Sequence, residues 1–360
     1  MTLLFQPLTL GTDPATAVTA RNRLWVAPMC QYSAEDGLPG EWHHVHLAQF
    51  ASGGAGLVMA EATAVSPEGR ISPDDTGLWN DAQRDAWAPI VAAIRRRGAV
   101  PGVQLAHAGR KASTWSPFSG HRGSVPPADG GWTTVAPSAI AFEGYAAPEE
   151  LDRDGIDRIV DAFAAAAARA VDAGFEVLEI HAAHGYLLHQ FLSPLSNLRD
   201  DAYGGDLEGR ARLLLRVCDA VTAAAPGVPL IVRFSATDWA DGGWDVDETS
   251  TAARWVAERG VSLVDISSGG LVAHQRITTG PGYQVPLAAR VRAAANVLVS
   301  AVGEITDAAQ AERILADGDS DVITAGREWL RDPHFALRAA GELGEDIGYW
   351  PPQYVRARRR

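Results

Sequence analysis

The 360-residue chain carries a formal net charge of −13 and 47% hydrophobic residues, a balance that supports a large core and argues against general nucleic-acid binding. No apolar run approaches the roughly 18 to 20 residues needed to span a bilayer, so no membrane partner is expected. The first residues, Met1 to Pro7, lack a basic region and a cleavage pattern, and two cysteines, Cys30 and Cys218, cannot build a disulfide framework. Reduced thiols in a cytoplasmic protein are the simpler expectation.

In chain order, eight short apolar runs alternate with helical patterns. They are Leu24 to Ala27, Gly56 to Ala60, Val100 to Leu105, Phe175 to Ile180, Leu230 to Phe234, Leu263 to Ile266, Val297 to Val302 and Asp321 to Ala325. Between them lie amphipathic stretches such as Trp87, Ile90, Val91 and Ile94, and an alanine-rich helix from about Ile156 to Asp172 that Gly174 closes. This alternation predicts an α/β fold, a (β/α)8 TIM barrel, in one domain spanning residues 1–360. The gap between the third and fourth runs is long and rich in Trp, Ser, Pro and Gly. It predicts an excursion covering the barrel mouth, with a hairpin of its own.

The residues that follow the runs are polar, as the catalytic rim of a parallel barrel requires. The first run ends at Ala27-Pro-Met-Cys30, the second at Glu61-Ala62, and the third at Gln104 followed by His107. The fourth leads into His181-Ala-Ala-His184-Gly-Tyr186, the fifth supplies Arg233, and the sixth Ser267-Ser-Gly-Gly270. The last two end at Gly303 and Gly326-Arg327. Glycines there let backbone N–H groups approach an anion, so a phosphate-bearing cofactor is expected.

His181 to Tyr186, the following Leu187-Leu-His-Gln-Phe-Leu-Ser-Pro-Leu-Ser-Asn-Leu-Arg199, and Asp201-Ala-Tyr-Gly-Gly205 closely resemble the signature of the old yellow enzymes, FMN-dependent ene-reductases. Cys30, Tyr32, Gln104-Leu-Ala-His-Ala-Gly-Arg110 and the C-terminal Gln353-Tyr354 with Arg356 resemble that family's thermophilic-like bacterial branch. Ala27 stands where many members carry Ser or Thr, and Gly209 where many carry Asn.

The resemblance implies FMN as cofactor and NADPH or NADH as hydride donor. Gln104 and Arg233 would face the pyrimidine edge of the flavin, Arg233 offsetting the negative charge of the reduced ring. Ala27, Pro28, Met29 and Ala62 would supply backbone contacts and packing. Gly303, Gly326 and Arg327 would hold the phosphate, with Ser267 nearby. Activated alkenes such as enones, maleimides and quinones would be the substrates. His181 and His184 would bind the carbonyl oxygen and Tyr186 would protonate the α-carbon. Cys30 would sit near the flavin, Tyr32 would shape the substrate pocket, and Arg356 would reach a neighbouring subunit's site in a homodimer or homotetramer.

Bland readings compete. A lone histidine after a strand is more often structural, but His181, His184 and Tyr186 together reverse that prior. Cys218, within Leu213-Leu-Leu-Arg-Val-Cys-Asp219, reads as a core cysteine. Gly53-Gly-Ala-Gly56 precedes a strand and so is no dinucleotide loop. A metal-dependent hydrolase or aldolase using His181 and His184 as ligands is the alternative, and Arg233 would oppose its cation. Metal-free chemistry is therefore expected.

Overall fold

The structure is a computed structural model that describes residues 2–11 and 13–358. Eight parallel strands close into a barrel in chain order: β1 (Leu24–Val26), β2 (Leu57–Ala64), β3 (Val100–Ala106), β4 (Val177–Ala182), β5 (Leu230–Ser235), β6 (Val261–Ser267), β7 (Leu298–Ala301) and β8 (Val322–Ala325). Almost every strand residue is buried, as expected when helices cover a parallel sheet from outside. The main helices are α1 (Glu41–Ser52), α2 (Asp81–Arg96), α3 (Arg153–Ala173), α4 (Leu187–Leu192), α5 (Leu207–Ala224), α6 (Val246–Ala257), α7 (Val285–Ala294), α8 (Ala308–Ala316), α9 (Arg327–Arg331) and α10 (Phe335–Glu342). The (β/α)8 barrel expected from the run pattern is the fold observed.

Helix ends obey local chemistry. At the start of α3, the Asp152 carboxylate accepts from the Gly155 N–H at 2.6 Å; at its end, Gly174 takes a left-handed conformation at φ +96°. That combination is a favoured cap at each terminus, and it places β4 immediately after the helix. At Gly209 in α5, a Cβ would come within 2.1 Å of the Gly204 carbonyl oxygen, so the close approach of the two backbones demands glycine there.

Three details depart from the run boundaries. The second strand continues to Ala64, with a register shift between Ala60 and Ala62 that makes Glu61 a bulge residue. The fourth strand is displaced two residues toward the C-terminus, so His181 belongs to β4 itself instead of the loop after it. The excursion between β3 and β4 holds the short strands Val135–Ala136 and Glu149–Glu150, and these pair in parallel. The expected hairpin is therefore absent there, because parallel partners need a long crossover in place of a tight turn. Antiparallel pairing in the excursion is confined to one bridge, Thr114 with Ser124.

A hairpin does exist, at the N-terminus. Leu8–Leu10 and Val18–Ala20 pair antiparallel, and Leu10 and Ala20 join Trp25, Leu57, Met59, Ile231 and Leu263 in an apolar cluster inside the barrel. The hairpin thus seals the barrel floor. The much larger second core lies between the barrel and its helices, around residues such as Phe50, Trp87, Phe163 and Phe191.

Candidate active site

Above the apolar floor the barrel interior turns polar. Gln104 on β3 donates from Nε2 to Oε1 of Glu179 on β4 at 2.6 Å, and Arg233 Nε on β5 lies 3.0 Å from Oδ2 of Asp265 on β6. All four side chains are buried. Burial pushes the Glu179 carboxyl up to about 8, assisted by the Asp265 charge and opposed by Arg233 and Gln104. The bond to Glu179 uses one N–H of the Gln104 amide and fixes its orientation, with the second N–H and the carbonyl oxygen still able to pair with a ring edge.

The β4 loop is the most constrained segment of the rim. His184 has a left-handed backbone at φ +58°, followed by Gly185 at +73°, a conformation that a non-glycine residue adopts only when its surroundings enforce it. They do: the His184 N–H donates to Ser235 Oγ at 2.9 Å, and its carbonyl accepts from Lys111 Nζ at 2.8 Å. Its Nε2 is 2.8 Å from Ser267 Oγ. The Gly185 N–H donates to His189 Nδ1, and the other nitrogen of that imidazole meets Asp238 at 2.8 Å.

This bracing gathers three rings. The His181 centroid is 5.1 Å from that of His184 and 5.0 Å from that of Tyr186, both edge-on. His181 Nδ1 is buried without a partner among the described residues, a polar atom suited to receive a ligand. Burial, and then the positive charge of Arg233, hold both imidazoles well below their ordinary pKa, so they act as neutral hydrogen-bonding groups. Tyr186 is pushed well above its ordinary value by burial and then by Cys30 and Tyr32. Its proton stays in place until a strong carbon base is presented.

Cys30 follows β1 at the same rim, and Tyr32, with φ +50°, sets its ring edge-on to Phe118 of the excursion at 6.0 Å. Burial and the nearby Asp75 and Glu61 carboxyls push the Cys30 thiol well up, which opposes the thiolate that a cysteine redox sensor needs. Ala27 donates its N–H to the Ala325 carbonyl, tying β1 to β8, and Ala62 lies within β2.

A cavity of about 500 Å³ opens between β5 and β8, lined by Ala27, Pro28, Met29, Arg233, Ser267 and Gly303 together with Gly326 and Arg327. At Gly303 (φ +122°) a Cβ would come within 2.8 Å of the Gln284 side chain, so only bare backbone fits there. Arg327 is 69% exposed, and its nearest carboxylate, Glu304, is 3.8 Å away. Buried donors at one end, bare backbone and a loosely paired guanidinium at the other fit a ring joined to a phosphate. Tyr283, Gln284 and Arg331 line the same cavity. The run pattern missed them, because Tyr283 and Gln284 precede α7 far from any strand end. Lys111 was missed as well, though it directly follows the Gln104-to-Arg110 segment.

Arg356 stands apart. It is exposed, on a C-terminal 3-10 segment (Pro352–Ala357) that packs through Tyr354 against His334 and runs along α10. Within one chain it is not brought to the rim. As for a metal, no group of three or more His, Cys, Asp or Glu side chains able to hold one occurs among the described residues.

Residues 3–346 match the family model described as NADH:flavin oxidoreductase / NADH oxidase. The chain belongs to this family. It is 44% identical over 356 residues to an NADPH dehydrogenase of Bacillus subtilis, covering 98% of each chain. With an NADPH dehydrogenase of Listeria monocytogenes it shares 47% over 343 residues, covering 94% of this chain and 96% of the relative. Among solved structures, morphinone reductase superposes with a TM-score of 0.78 at 29% identity, covering 98% of this chain and 92% of that one. An old yellow enzyme homologue from Zymomonas mobilis gives 0.78 at 29%, covering 99% of both. This flavin oxidoreductase is therefore a relative of the old yellow enzymes, with FMN as its cofactor and NADPH or NADH as its hydride donor. No helix among its described residues is long and apolar enough to cross a membrane.

Proposed function

We propose that this flavin oxidoreductase reduces the carbon–carbon double bond of α,β-unsaturated carbonyl compounds, and that His181, His184 and Tyr186 carry the substrate chemistry. The observation that carries this reading is the convergence of two neutral imidazoles and a protonated phenol at one rim, with rings about 5 Å apart and a buried imidazole nitrogen lacking a partner. Bound FMN would supply the hydride chemistry between the nicotinamide and the alkene.

Gln104 and Arg233 would hold the flavin ring, with Ala27, Pro28, Met29 and Ala62 supplying backbone contacts and packing. Gly303, Gly326 and Arg327 would take the phosphate, and Ser267 steadies His184 through their 2.8 Å contact. His181 and His184 donate to the carbonyl oxygen of the alkene substrate, where negative charge grows as the β-carbon is reduced. Tyr186 then gives its proton to the α-carbon. Cys30 and Tyr32 shape the pocket. NADPH and the alkene use the same space in turn, which makes the kinetics ping-pong. Enones, maleimides and quinones fit this chemistry, and nitro compounds offer a similar acceptor oxygen. Arg356 completes a neighbouring subunit's pocket in a homodimer or homotetramer, which accounts for its exposure here.

The deciding experiment is an anaerobic absorbance spectrum of the purified protein, taken before and after NADPH and then after 2-cyclohexen-1-one. Flavin bands bleach with NADPH and return with the enone. Bands that bleach but do not return with any activated alkene would overturn the substrate class while leaving the family intact.

A further inference from the structure

Lys111 is the single lysine in a chain with 31 lysines and arginines, and it lies against the groups that do the chemistry. It ends the 3-10 turn Gly109–Lys111 of the excursion. Its ammonium donates to the carbonyl of His184 at 2.8 Å and to that of Gly270 at 2.9 Å. The ring centroids of Phe142 and Tyr186 lie 4.9 and 5.1 Å from Nζ. The ammonium thus clamps the β4 loop to the β6 loop where their backbones meet most tightly, since a Cβ on Gly185 would sit 2.2 Å from the Gly270 carbonyl oxygen. Two carbonyls and two ring faces suit a compact ammonium, whereas a planar guanidinium fork matches paired acceptor oxygens lying in one plane.

We propose that Lys111 is a positioning residue for substrate protonation: through the His184 carbonyl it holds the left-handed backbone of an oxygen-binding imidazole, and beside Tyr186 it supplies the countercharge for the tyrosinate. This rests on the reading of Tyr186 as proton donor. In that step the Tyr186 O–H bond breaks, a C–H bond forms at the α-carbon, and the electron pair stays on the phenolate oxygen until water returns a proton. Lys111 keeps its protons throughout. Tyrosinate is otherwise disfavoured here, by burial and then by Cys30 and Tyr32.

The clamp has its own pH signature. Burial, and then Arg110, lower Lys111 from 10.5 to about 8, so the countercharge is present below that pH and lost above it. Around it, His181 and His184 are held far below, Tyr186 and Cys30 far above, and Arg110 is lowered only to about 10; Glu179 is raised to about 8 as well, so the Lys111 limb is the one that Lys111→Met removes.

Two experiments test the proposal. In holoenzyme carrying isotope-labelled lysine, NMR follows a single side-chain ammonium signal, expected to titrate near pH 8; titration at the ordinary lysine value overturns it. In stopped flow, Lys111→Met slows enone reoxidation by about tenfold or more, changes reduction by NADPH less than about twofold, and abolishes the alkaline limb near pH 8. Lys111→Arg recovers part of the rate and moves that limb upward. Flavin content and melting temperature establish that each variant is folded. Equal loss in both half-reactions, or an unchanged limb in Lys111→Met, overturns the proposal. If Tyr186→Phe leaves reoxidation intact, the donor reading itself fails; if Tyr186→Phe is slow and Lys111→Met is not, Lys111 alone is excluded.

Discussion

The two ends of the barrel solve opposite problems. At the floor, Leu10 and Ala20 of the N-terminal hairpin meet Trp25, Leu57, Met59 and Leu263 in a cluster without a titratable side chain. At the mouth, a few residues away along the same strands, Gln104, Glu179, Arg233 and Asp265 are buried together, and His184 is held in a left-handed backbone conformation. A cavity of about 10 Å³ bounded by Trp25, Met59, Glu179, Asp265, Ser300 and Thr324 marks the border. The floor gains stability from apolar burial. The mouth gives some of it up to hold charges and strain where chemistry needs them.

If this division holds, mutations at the two ends should separate cleanly. Tyr186→Phe at the mouth should slow reoxidation by an enone about 10² to 10⁴-fold, with reduction by NADPH and thermal stability nearly unchanged; equal loss in both half-reactions would break the assignment. Leu10→Ala at the floor should cost about 2–5 kcal/mol of stability and leave turnover of the folded enzyme intact, which denaturant unfolding and steady-state rates will check. Returning to the mouth, His181→Ala combined with His184→Ala should weaken phenolic ligands, mimics of the enolate oxygen, by about ten- to a hundredfold. Spectral titration of the flavin bands reads this directly.

The last effect, gentle at any one pH, tests the border itself. Glu179 has a folded pKa of about 8 against an ordinary 4.5, raised by burial and then by Asp265. The folded protein therefore keeps a proton that the unfolded chain has released, so this contribution to stability is full below pH 4.5 and is lost as pH rises through 8. Glu179→Gln should remove a decline of at most about 1.4 kcal/mol per pH unit across that window. Melting curves from pH 5 to 8.5 for wild type and variant provide the measurement, and parallel curves would show that Glu179 is ionised in the folded state.

Much of this division was legible in the chain. Strand placement followed from apolar runs of the right length between amphipathic helices, because burial on both faces leaves an uninterrupted local signature. The rim chemistry was equally local: His181, His184 and Tyr186 sit within six residues, and Gly303 and Gly326-Arg327 each follow a strand. The floor hairpin escaped because its strands are three residues each, too short for alternation to show.

What the local pattern could not carry was pairing across the sequence. Gln104 reaches Glu179 over 75 residues, Lys111 reaches the Gly270 carbonyl over 159, and Arg110 reaches that of Leu271 over 161. The amino-acid order alone determined a barrel with a polar rim and the cluster of two histidines and a tyrosine on it, since each is written in neighbouring residues. Which carboxyl is driven up, where a lone lysine comes to rest and that Arg356 lies outside its own rim were decided only when the barrel closed, because burial and electrostatic coupling are properties of the assembled interior.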